Sequence, residues 1–419
     1  MKKNSFLIEK CDGLYGEIKN QTSKNSTLPI LSASILCDEQ VKILEAPEIS
    51  DVTNMLKILK KIGVKVKKKA KNIILDPSTA DKMQVDCKLS KTMRSSIFLL
   101  GSLLARFKVA KITMPGGCKI GARPIDIHIK ALKQLGVEVT YLEDCIFFNA
   151  ENAKPNKIKL KIPSVGATEN IIQFACKLKG ITTLINPAKE PEIVDLCTFL
   201  NQMGAKILGA GTNKITIYGV DRFKYTEYKP MGDRIVAGTL MVATAICGGD
   251  VTITNAVPYQ NLKLIKIMRE MGCQIDYKND IIHIVKDKSL RSAKKIITGY
   301  YPDFATDLQS LMLTLNCIAN GKTIINERVF ENRFLTVPEL IKLGAHIEIL
   351  SPKKVFVKGV KSLNGTDVEA QDLRGGASLV LAGLIANGTT RVNNINFIDR
   401  GYEKLETMLN KLGANIRRV

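Results

Sequence analysis

The sequence lacks tryptophan, contains only 5% aromatic residues and has no long apolar run. No segment approaches the roughly 18–20 consecutive apolar residues that a membrane-spanning helix requires. The first residues include two lysines, but no long apolar region follows them, as it would in a secretory signal. We therefore expect a cytoplasmic protein that has no membrane partner.

Metal-binding and disulfide patterns are also missing. The three histidines, His128, His283 and His346, are far apart, and the ten cysteines stand singly, with no Cys-x-x-Cys pair. Metal ligands and disulfide frameworks are typically recognised by such residues at short, regular spacings. We therefore predict reduced thiols, no bound metal and no cofactor.

Positive charge is in excess: 62 lysines and arginines stand against 40 aspartates and glutamates, a formal net charge of +22. The densest basic run, residues 57–71, has no aromatic residue among its cations. A platform for single-stranded nucleic acid needs aromatic side chains on which bases stack. We interpret these lysines as a solvated surface and expect no nucleic-acid partner. A nucleic-acid binder remains an alternative that the charge alone favours.

One five-residue pattern occurs six times: an apolar residue, a glycine, a small or β-branched residue, any residue, then Ile or Val. Its glycines lie 68 to 73 residues apart, which predicts six copies of one supersecondary unit. The six copies begin at Ile62, Leu135, Met203, Met271, Leu343 and Leu412.

Within each unit the spacing of apolar residues changes in the same order, between helical spacing and strand-like alternation. Leu56, Leu59 and Ile62 have the spacing of one helix face, and Gly63 stands where a helix C-cap favours positive φ. Alternating segments such as residues 214–218 indicate strands. Each unit is therefore predicted to be helix, strand, helix, strand, strand, with one helix buried and the sheet outside. The fold class is α/β, and the length of 419 residues predicts two domains of three units each.

We predict that one domain spans residues 22–231 and that the other joins residues 1–21 to residues 232–419. Residues 7–10 precede the first full unit as a lone strand, and the final unit needs one added strand. Proline and glycine punctuate the chain at the second junction.

The second unit departs from the others by a glycine-rich insertion, residues 115–126. It places a thiol, Cys118, near two cations, Lys119 and Arg123. Nearby cations stabilise a thiolate, so Cys118 is a candidate nucleophile or proton donor. The glycines favour a loop that closes over a substrate. The alternative is a surface loop with an incidental cysteine.

Nine segments over nearly the whole chain carry further motifs. They are SKNSTLPIL (23–31), KTMRSS (91–96), GCKIGARPIDI (117–127), PSVGAT (163–168), DRI (233–235), PDFATDLQ (302–309), FENRF (330–334), DLR (372–374) and DRGYE (399–403). In this order they resemble the enolpyruvyl transferase family, most closely its members that act on UDP-N-acetylglucosamine. Any one motif is a weak signal, but nine in the family's order form a strong one. The resemblance implies a two-domain inside-out α/β barrel built from six repeated units.

The resemblance also implies the reaction. The family transfers the enolpyruvyl group of phosphoenolpyruvate, here to the 3-hydroxyl of UDP-N-acetylglucosamine, and releases phosphate; this is the first committed step of peptidoglycan synthesis. Planar arginine side chains suit the phosphate and carboxylate groups of phosphoenolpyruvate. By resemblance, the residues that bind this substrate are Lys24, Asn25, Arg123, Arg333, Arg374 and Arg400.

By resemblance, the catalytic residues are Cys118, Asp307, Lys24 and Arg400. Asp307 is expected to orient or deprotonate the attacking hydroxyl, and Cys118 to protonate the vinyl carbon. Fosfomycin, an epoxide that mimics phosphoenolpyruvate, is then expected to alkylate Cys118. We expect the protein to be a monomer. The residues implied to bind UDP-N-acetylglucosamine are Asn25, Arg94, Arg123, Pro124, Ile125, Asp126, Ile127, Ser164, Val165, Gly166, Asp307 and Val329.

Departures from the family pattern keep two related functions open. Thr22-Ser23, Ile162-Pro163 and Gly375-Gly376 replace residues that members usually have, which leaves room for a paralogue with a different acceptor. The shikimate-pathway relative shares the Arg-Pro-Ile segment of the loop. That relative typically has Lys-Ser where this chain has Lys24-Asn25, and an arginine-rich loop where this chain has Gly-Gly-Cys.

Overall fold

The computed structural model describes residues 4–84, 97–113, 125–143, 145–287 and 289–419. The described residues form two compact units. The first unit lies within residues 22–231, and the second unit comprises residues 4–21 and 232–419. No helix in these described ranges is long and apolar enough to cross a membrane.

Two kinds of helix alternate along the described chain. The odd-numbered helices are buried on nearly all sides, whereas the even-numbered helices bury one face. The helices of the first unit are α1 (Lys24–Ala33), α2 (Ser50–Lys61), α3 (Leu99–Phe107), α4 (Asp126–Lys133), α5 (Val165–Ala175) and α6 (Pro191–Gln202). Those of the second unit are α7 (Arg234–Cys247), α8 (Leu262–Met271), α9 (Gln309–Ile318), α10 (Val337–Lys342), α11 (Leu373–Gly383) and α12 (Leu405–Lys411).

Sequence composition explains the alternation. In α7 the only charged residue is Arg234, at the first position, so the rest of the helix can be buried on every side. In α8 the buried residues are Leu264, Ile265, Met268 and Met271, which recur at helical spacing on one face. The apolar face of α8 therefore packs inward while its lysines remain in water.

The six repeat glycines follow the even-numbered helices. Each has a positive φ, between 85° and 113°, the left-handed conformation that glycine adopts without steric cost. At Gly63 an added Cβ would lie 2.6 Å from the carbonyl oxygen of Thr79, so close backbone approach also requires glycine there. Gly272 is itself a C-cap, and the other five glycines follow their C-cap residues by one or two positions, so the predicted positive φ at these helix ends is confirmed.

The strands follow the helices in a fixed order within each repeat. The first unit contains β3 (Val41–Ile43), β4 (Lys65–Lys69), β5 (Asn72–Asp76), β6 (Val109–Ile112), β7 (Glu138–Tyr141), β8 (Ile146–Asn149), β9 (Lys157–Lys159), β10 (Ile181–Ile185), β11 (Lys206–Leu208), β12 (Lys214–Tyr218) and β13 (Thr226–Tyr228). The second unit contains β1 (Ser5–Glu9), β2 (Leu14–Lys19), β14 (Gly249–Thr254), β15 (Gln274–Lys278), β16 (Ile281–Lys286), β17 (Lys295–Ile297), β18 (Lys322–Asn326), β19 (His346–Ser351), β20 (Lys354–Lys358), β21 (Leu363–Asn364), β22 (Asp367–Glu369), β23 (Ala386–Asn387), β24 (Thr390–Asn393) and β25 (Asn415–Arg418).

Each repeat has its own sheet; the four-stranded sheets are mixed, whereas β6-β8-β7 is antiparallel. The orders are β13-β3-β5-β4, β6-β8-β7 and β9-β10-β12-β11 in the first unit, and β2-β14-β16-β15, β17-β18-β20-β19 and β22-β24-β1-β25 in the second. In the four-stranded sheets the first pair is parallel. The remaining pairs of the four-stranded sheets are antiparallel. Strands β21 and β23 form a separate parallel pair. The predicted α/β fold of six repeated units is confirmed.

The sheet of the final repeat takes one strand from near the start of the chain. Strand β1 lies antiparallel to both β24 and β25, with Phe6 opposite Val392 on one side and Arg418 on the other. In the other sheets this place is taken by the second arm of a hairpin, as β16 does beside β15. The strand expected at residues 7–10 therefore lies at residues 5–9 and completes the last sheet.

Each unit has a separate apolar core. In the second unit the buried helices α7, α9 and α11 contribute Leu240, Leu311 and Val380, all essentially inaccessible. In the first unit the corresponding helices are α1, α3 and α5, which contribute side chains such as Leu31 and Leu103. Full burial of one such leucine contributes roughly 1.5–3 kcal/mol. The buried helices are thereby fixed in place, and their N-termini become rigid positions for functional side chains.

Candidate active site

Several predicted site residues lie at the N-termini of buried helices. Lys24 is the first residue of α1, Val165 the first of α5 and Arg374 the second of α11, while Asp307 lies two residues before α9. The exposed amides and the dipole of a helix N-terminus attract anions. Each unit therefore offers positions suited to anionic ligands.

In the second unit, Asp307 lies between two buried guanidinium groups. Arg333 Nη2 donates to Asp307 Oδ1 at 2.6 Å, and Arg374 Nη2 donates to Asp307 Oδ2 at 3.3 Å. The side chains of both arginines are 3% exposed, whereas that of Asp307 is 29% exposed. The carboxylate is therefore the member of this trio that a ligand reaches most readily.

Arg333 also holds the backbone that precedes Asp307. Its Nε and Nη2 atoms both lie 3.3 Å from the carbonyl oxygen of Thr306. Its guanidinium carbon lies 5.7 Å from the centre of the Phe330 ring, at cation–π distance. Because Asp307 belongs to the short 3₁₀ turn Thr306–Leu308, these contacts fix the direction of its side chain.

Arg374 is a buried cation with unused donors. Asp372 caps α11 by accepting a hydrogen bond from the Arg374 backbone N–H at 2.9 Å. Burial acts to lower the pKa of the Arg374 guanidinium, but the neighbouring Tyr402, Asp307 and Asp233 more than offset this and hold it above its usual value. Among the described residues, Nε and Nη1 of Arg374 have no hydrogen-bond acceptor. Such a group suits the oxygen atoms of a bound anion.

Gly375 leaves room for the cap of α11. A Cβ at this position would lie 2.6 Å from Asp372 Oδ2 and 3.3 Å from Thr336 Cβ. At Gly376 a Cβ would lie 2.8 Å from Ile398 Cγ1. The two glycines that depart from the family pattern thus match the close packing around the start of this helix.

Arg400 ends the 3₁₀ helix Ile395–Arg400 and is partly buried. The backbone after it is held by Gln21, whose Nε2 donates to the Gly401 carbonyl at 3.0 Å and whose Oε1 accepts from the Glu403 N–H at 2.8 Å. Gln21 is a supporting residue that the sequence analysis missed. No motif marks it, because its partners are about 380 positions away in the chain.

In the first unit, Lys24 is held by a buried carboxylate. Its Nζ atom lies 2.8 Å from Asp51 Oδ2, and the two side chains are 11% and 2% exposed. Ser23 caps α1 by accepting from the Ser26 N–H at 3.3 Å. Asn25 is the next residue of the same turn. The ammonium group and the amide are therefore carried by a capped helix end.

The structure brings together two further predicted segments of the first unit. Ile125 is the N-cap of α4, residues 126–127 are the first two residues of that helix, and Ser164 is the N-cap of α5. A Cβ on Gly166 would lie 3.0 Å from ring carbon Cε1 of His128, so the two helix ends are in close contact. Asn170 Nδ2 donates to His128 Nδ1 at 2.9 Å and joins the two helices.

Glu169 is a buried acid that the sequence analysis missed. Burial first, then the negative charges of Glu192 and Glu190, raise the pKa of Glu169 well above its usual value. Within the described residues neither of its carboxyl oxygens has a hydrogen-bond partner. It lies in α5, four residues after Val165. The available signal was the one charged residue among the uncharged residues of α5.

Four predicted site residues, Arg94, Cys118, Arg123 and Pro124, lie outside the described residues. The rest divide between the units. Asp307, Arg333 and Arg374 are in contact in the second unit, and in the first unit Gly166 lies close to His128, the residue that follows segment 125–127. The arrangement provides a partly exposed carboxylate that can orient a hydroxyl group or accept its proton. Beside it are cations that can bind an anion.

Comparisons with known proteins identify relatives over the whole length. A family model described as EPSP synthase (3-phosphoshikimate 1-carboxyvinyltransferase) matches residues 8–417. UDP-N-acetylglucosamine 1-carboxyvinyltransferase 2 of Caldanaerobacter subterraneus subsp. tengcongensis is 45% identical over 414 residues, covering 99% of each chain. UDP-N-acetylglucosamine 1-carboxyvinyltransferase of Myxococcus xanthus is 42% identical over 425 residues, again covering 99% of each chain.

Solved structures share the fold. The crystal structure of the enolpyruvyl transferase NikO from Streptomyces tendae matches with a TM-score of 0.89 and 24% identity, covering 100% of this chain and 99% of that one. EPSP synthase from Acinetobacter baumannii matches with a TM-score of 0.74 and 17% identity, covering 99% of each chain. With the family model spanning residues 8–417 and curated relatives similar from end to end, the chain belongs to the enolpyruvyl transferase (EPSP synthase) family.

Proposed function

We propose that this protein transfers the enolpyruvyl group of phosphoenolpyruvate to the 3-hydroxyl of UDP-N-acetylglucosamine and releases phosphate, the first committed step of peptidoglycan synthesis. The observation that carries the proposal is the 45% identity, over 99% of both chains, to a relative that bears the name of this activity. The pairing of a partly exposed carboxylate with two buried guanidinium groups supports it, because the reaction needs a proton acceptor beside an anion site.

The reaction proceeds by addition and then elimination. The 3-hydroxyl oxygen bonds to the central carbon of phosphoenolpyruvate, its proton passes to a base, and the terminal vinyl carbon gains a proton. We assign Asp307 as the base or orienting group and Cys118 as the proton donor. The tetrahedral adduct then loses phosphate together with a proton from the new methyl group, which restores the double bond.

The cations bind phosphoenolpyruvate and the departing phosphate. We assign this role to Lys24, Arg333, Arg374 and Arg400, with Asn25 and Arg123. The two unused donors of Arg374 support the assignment, because preorganised N–H groups stabilise charge that develops on the phosphate.

The nucleotide sugar contacts other parts of the chain. We assign it to Asn25, Arg94, residues 123–127 and residues 164–166, with Asp307 and Val329. The N-termini of α4 and α5 carry two of these segments, and such helix ends suit a diphosphate.

We further propose that residues 22–231 and residues 1–21 with 232–419 are the two domains of a cytoplasmic monomer that binds neither nucleic acid nor membrane. The two compact units and their separate cores support this division. Sedimentation of the purified protein should give the mass of one chain. Oligonucleotide binding with a steep dependence on salt would contradict the absence of a nucleic-acid partner.

The function is tested by phosphate release from phosphoenolpyruvate with each of two acceptors supplied alone. We expect release with UDP-N-acetylglucosamine and none with shikimate 3-phosphate. Release with shikimate 3-phosphate only would assign the chain to the other branch of the family. Release with neither acceptor, from folded protein, would reject the proposal in favour of a paralogue that uses a different acceptor.

A further inference from the structure

Glu327 is a buried carboxylate that the proposed reaction does not use. It follows β18 and is 1% exposed. Its Oε1 atom accepts hydrogen bonds from Thr298 Oγ1 at 2.8 Å, from the Val329 N–H at 2.7 Å and from the Phe330 N–H at 3.1 Å. Its Oε2 atom accepts from Thr306 Oγ1 at 2.9 Å. Four donors thus solvate a charge that burial alone would make costly.

These partners are hydroxyl and amide groups. Among the described residues no lysine or arginine nitrogen lies within ion-pair distance of Glu327. The strength of a hydrogen bond from a neutral donor depends steeply on its direction. Four separate neutral donors, each with its own direction, fix the backbone on both sides of the carboxylate.

The two carboxylate oxygens reach different segments of the second unit. Oε1 holds Val329, which we assign to the nucleotide sugar, and the next residue, Phe330. Oε2 holds Thr306, the residue immediately before Asp307. Arg333 binds the carbonyl of Thr306 at 3.3 Å, so Thr306 is held through its side chain and through its backbone. One buried side chain therefore joins the segment of Asp307 to the segment of Val329.

We propose that Glu327 is a positioning residue for the reaction: it fixes the distance between Asp307 and the Val329–Phe330 backbone, with one carboxylate oxygen for each segment. The inference rests on the proposed function for its effect on turnover, while the coupling of the two segments holds independently of the substrate. Glu327 itself touches no reacting atom. Its effect passes through Thr306 on one side and through two backbone amides on the other.

The most specific variant removes only the hydrogen bond between Glu327 and Thr306. Thr306→Val keeps a β-branched side chain but deletes the hydroxyl that Glu327 Oε2 holds. Losing one hydrogen bond to a charged group, next to the catalytic carboxylate, should lower kcat about 10- to 100-fold. The Michaelis constant for UDP-N-acetylglucosamine should change less than about threefold, because the hydrogen bond from the Val329 N–H to Glu327 is intact. Thr306→Ser restores the hydroxyl and should restore kcat to near the wild-type value.

Two further variants separate positioning from other roles. Glu327→Gln keeps an acceptor oxygen for the two amides, and its new NH₂ can donate to the Thr306 hydroxyl, which rotates to accept. A positioning role therefore predicts a mild defect, whereas a role for the negative charge predicts a severe one. Thr244→Val is the matched control, since the Thr244 hydroxyl is fully buried and, among the described residues, bonds only the Leu240 carbonyl, at 3.0 Å. It should lower Tm without changing kcat.

Hydrogen exchange supplies a measurement that needs no substrate. Glu327→Ala should raise exchange both at the Val329 and Phe330 amides and in the segment 298–308, because both depend on one carboxylate. Increased exchange at 329–330 alone would overturn the proposed coupling. Wild-type activity with Thr306→Val, or a loss of activity in Glu327→Gln as severe as in Glu327→Ala, would overturn the positioning role. If the wild-type protein were inactive but Glu327→Ala still raised exchange in both segments, the proposed function would be rejected and the coupling of the segments would stand.

Discussion

Replacing Asp307 by asparagine tests the centre of the proposed site. The amide has nearly the shape of the carboxylate, but it carries no charge and has one acceptor oxygen instead of two. It can therefore keep the 2.6 Å contact with Arg333 or the 3.3 Å contact with Arg374, and not both. Since Arg333 is also anchored to Thr306, we expect the Arg374 contact to be lost.

The stability change should be modest. A hydrogen bond to a charged group contributes about 1.5–3 kcal/mol. The Asp307 side chain is 29% exposed, and solvent screening reduces the loss to about 1–2 kcal/mol. For a unit of about 200 residues this lowers Tm by roughly 2–8 °C. The rate should fall further, because loss of a general base costs about 10²–10⁴-fold in turnover, or roughly 3–5.5 kcal/mol.

The assay measures phosphate release at saturating substrates, beside a thermal melt of the same sample. Glu406→Gln is the matched control: Glu406 accepts from Arg418 Nε at 2.9 Å, and its side chain is 14% exposed. It should lose a similar amount of stability and keep its turnover. If Asp307→Asn retained kcat within about fivefold of the wild type, the assignment of Asp307 as base or orienting group would be refuted.

Two other predictions concern ionisable side chains. Because the pKa of Glu169 is raised in the folded state, the folded protein binds this proton more tightly than the unfolded chain. Stability should then fall as pH rises above the unperturbed value of 4.5, by up to about 1.4 kcal/mol per pH unit. Glu169→Gln should remove that slope and raise Tm at pH 8 more than at pH 5, and parallel melting profiles for the two proteins would contradict this. Cys118→Asp should keep activity and lose fosfomycin labelling, whereas the wild type should gain one adduct, at Cys118, by mass spectrometry. Cys11, whose pKa a hydrogen bond from Cys247 lowers to about 6, is 7% exposed and should remain unlabelled; an adduct on the variant would argue against Cys118 as the target.

The repeated architecture could be predicted from the sequence because its signals are local. A glycine after a helical face specifies a left-handed C-cap through its own φ, and all six repeat glycines have that conformation. The strand boundaries were less certain, because an alternating pattern does not mark its own ends. The expected strand at residues 7–10 lies at residues 5–9.

The site could be predicted only through the resemblance to a family. Asp307 and Arg374 are 67 residues apart in sequence, and no periodicity brings them together. The supporting residues were missed for the same reason. Gln21 and Glu327 act through partners that only the fold places beside them, and neither belongs to the motifs that carried the resemblance. Burial of Glu169 likewise depends on how α5 packs and not on its neighbours in the chain.

Strand β1, which completes the sheet of the final repeat, determines when that sheet can fold during synthesis. Its partners β24 and β25 lie about 400 residues later, so the last sheet forms only after residues 390–418 have been translated. At a ribosomal rate of about 5–20 residues per second, residues 232–419 emerge over roughly 10–40 s after the first unit is complete. Throughout that interval β1 has no partner on either edge, and unpaired strand edges favour association with other chains. The newborn protein is therefore expected to need protection at β1 until residues 390–418 have emerged.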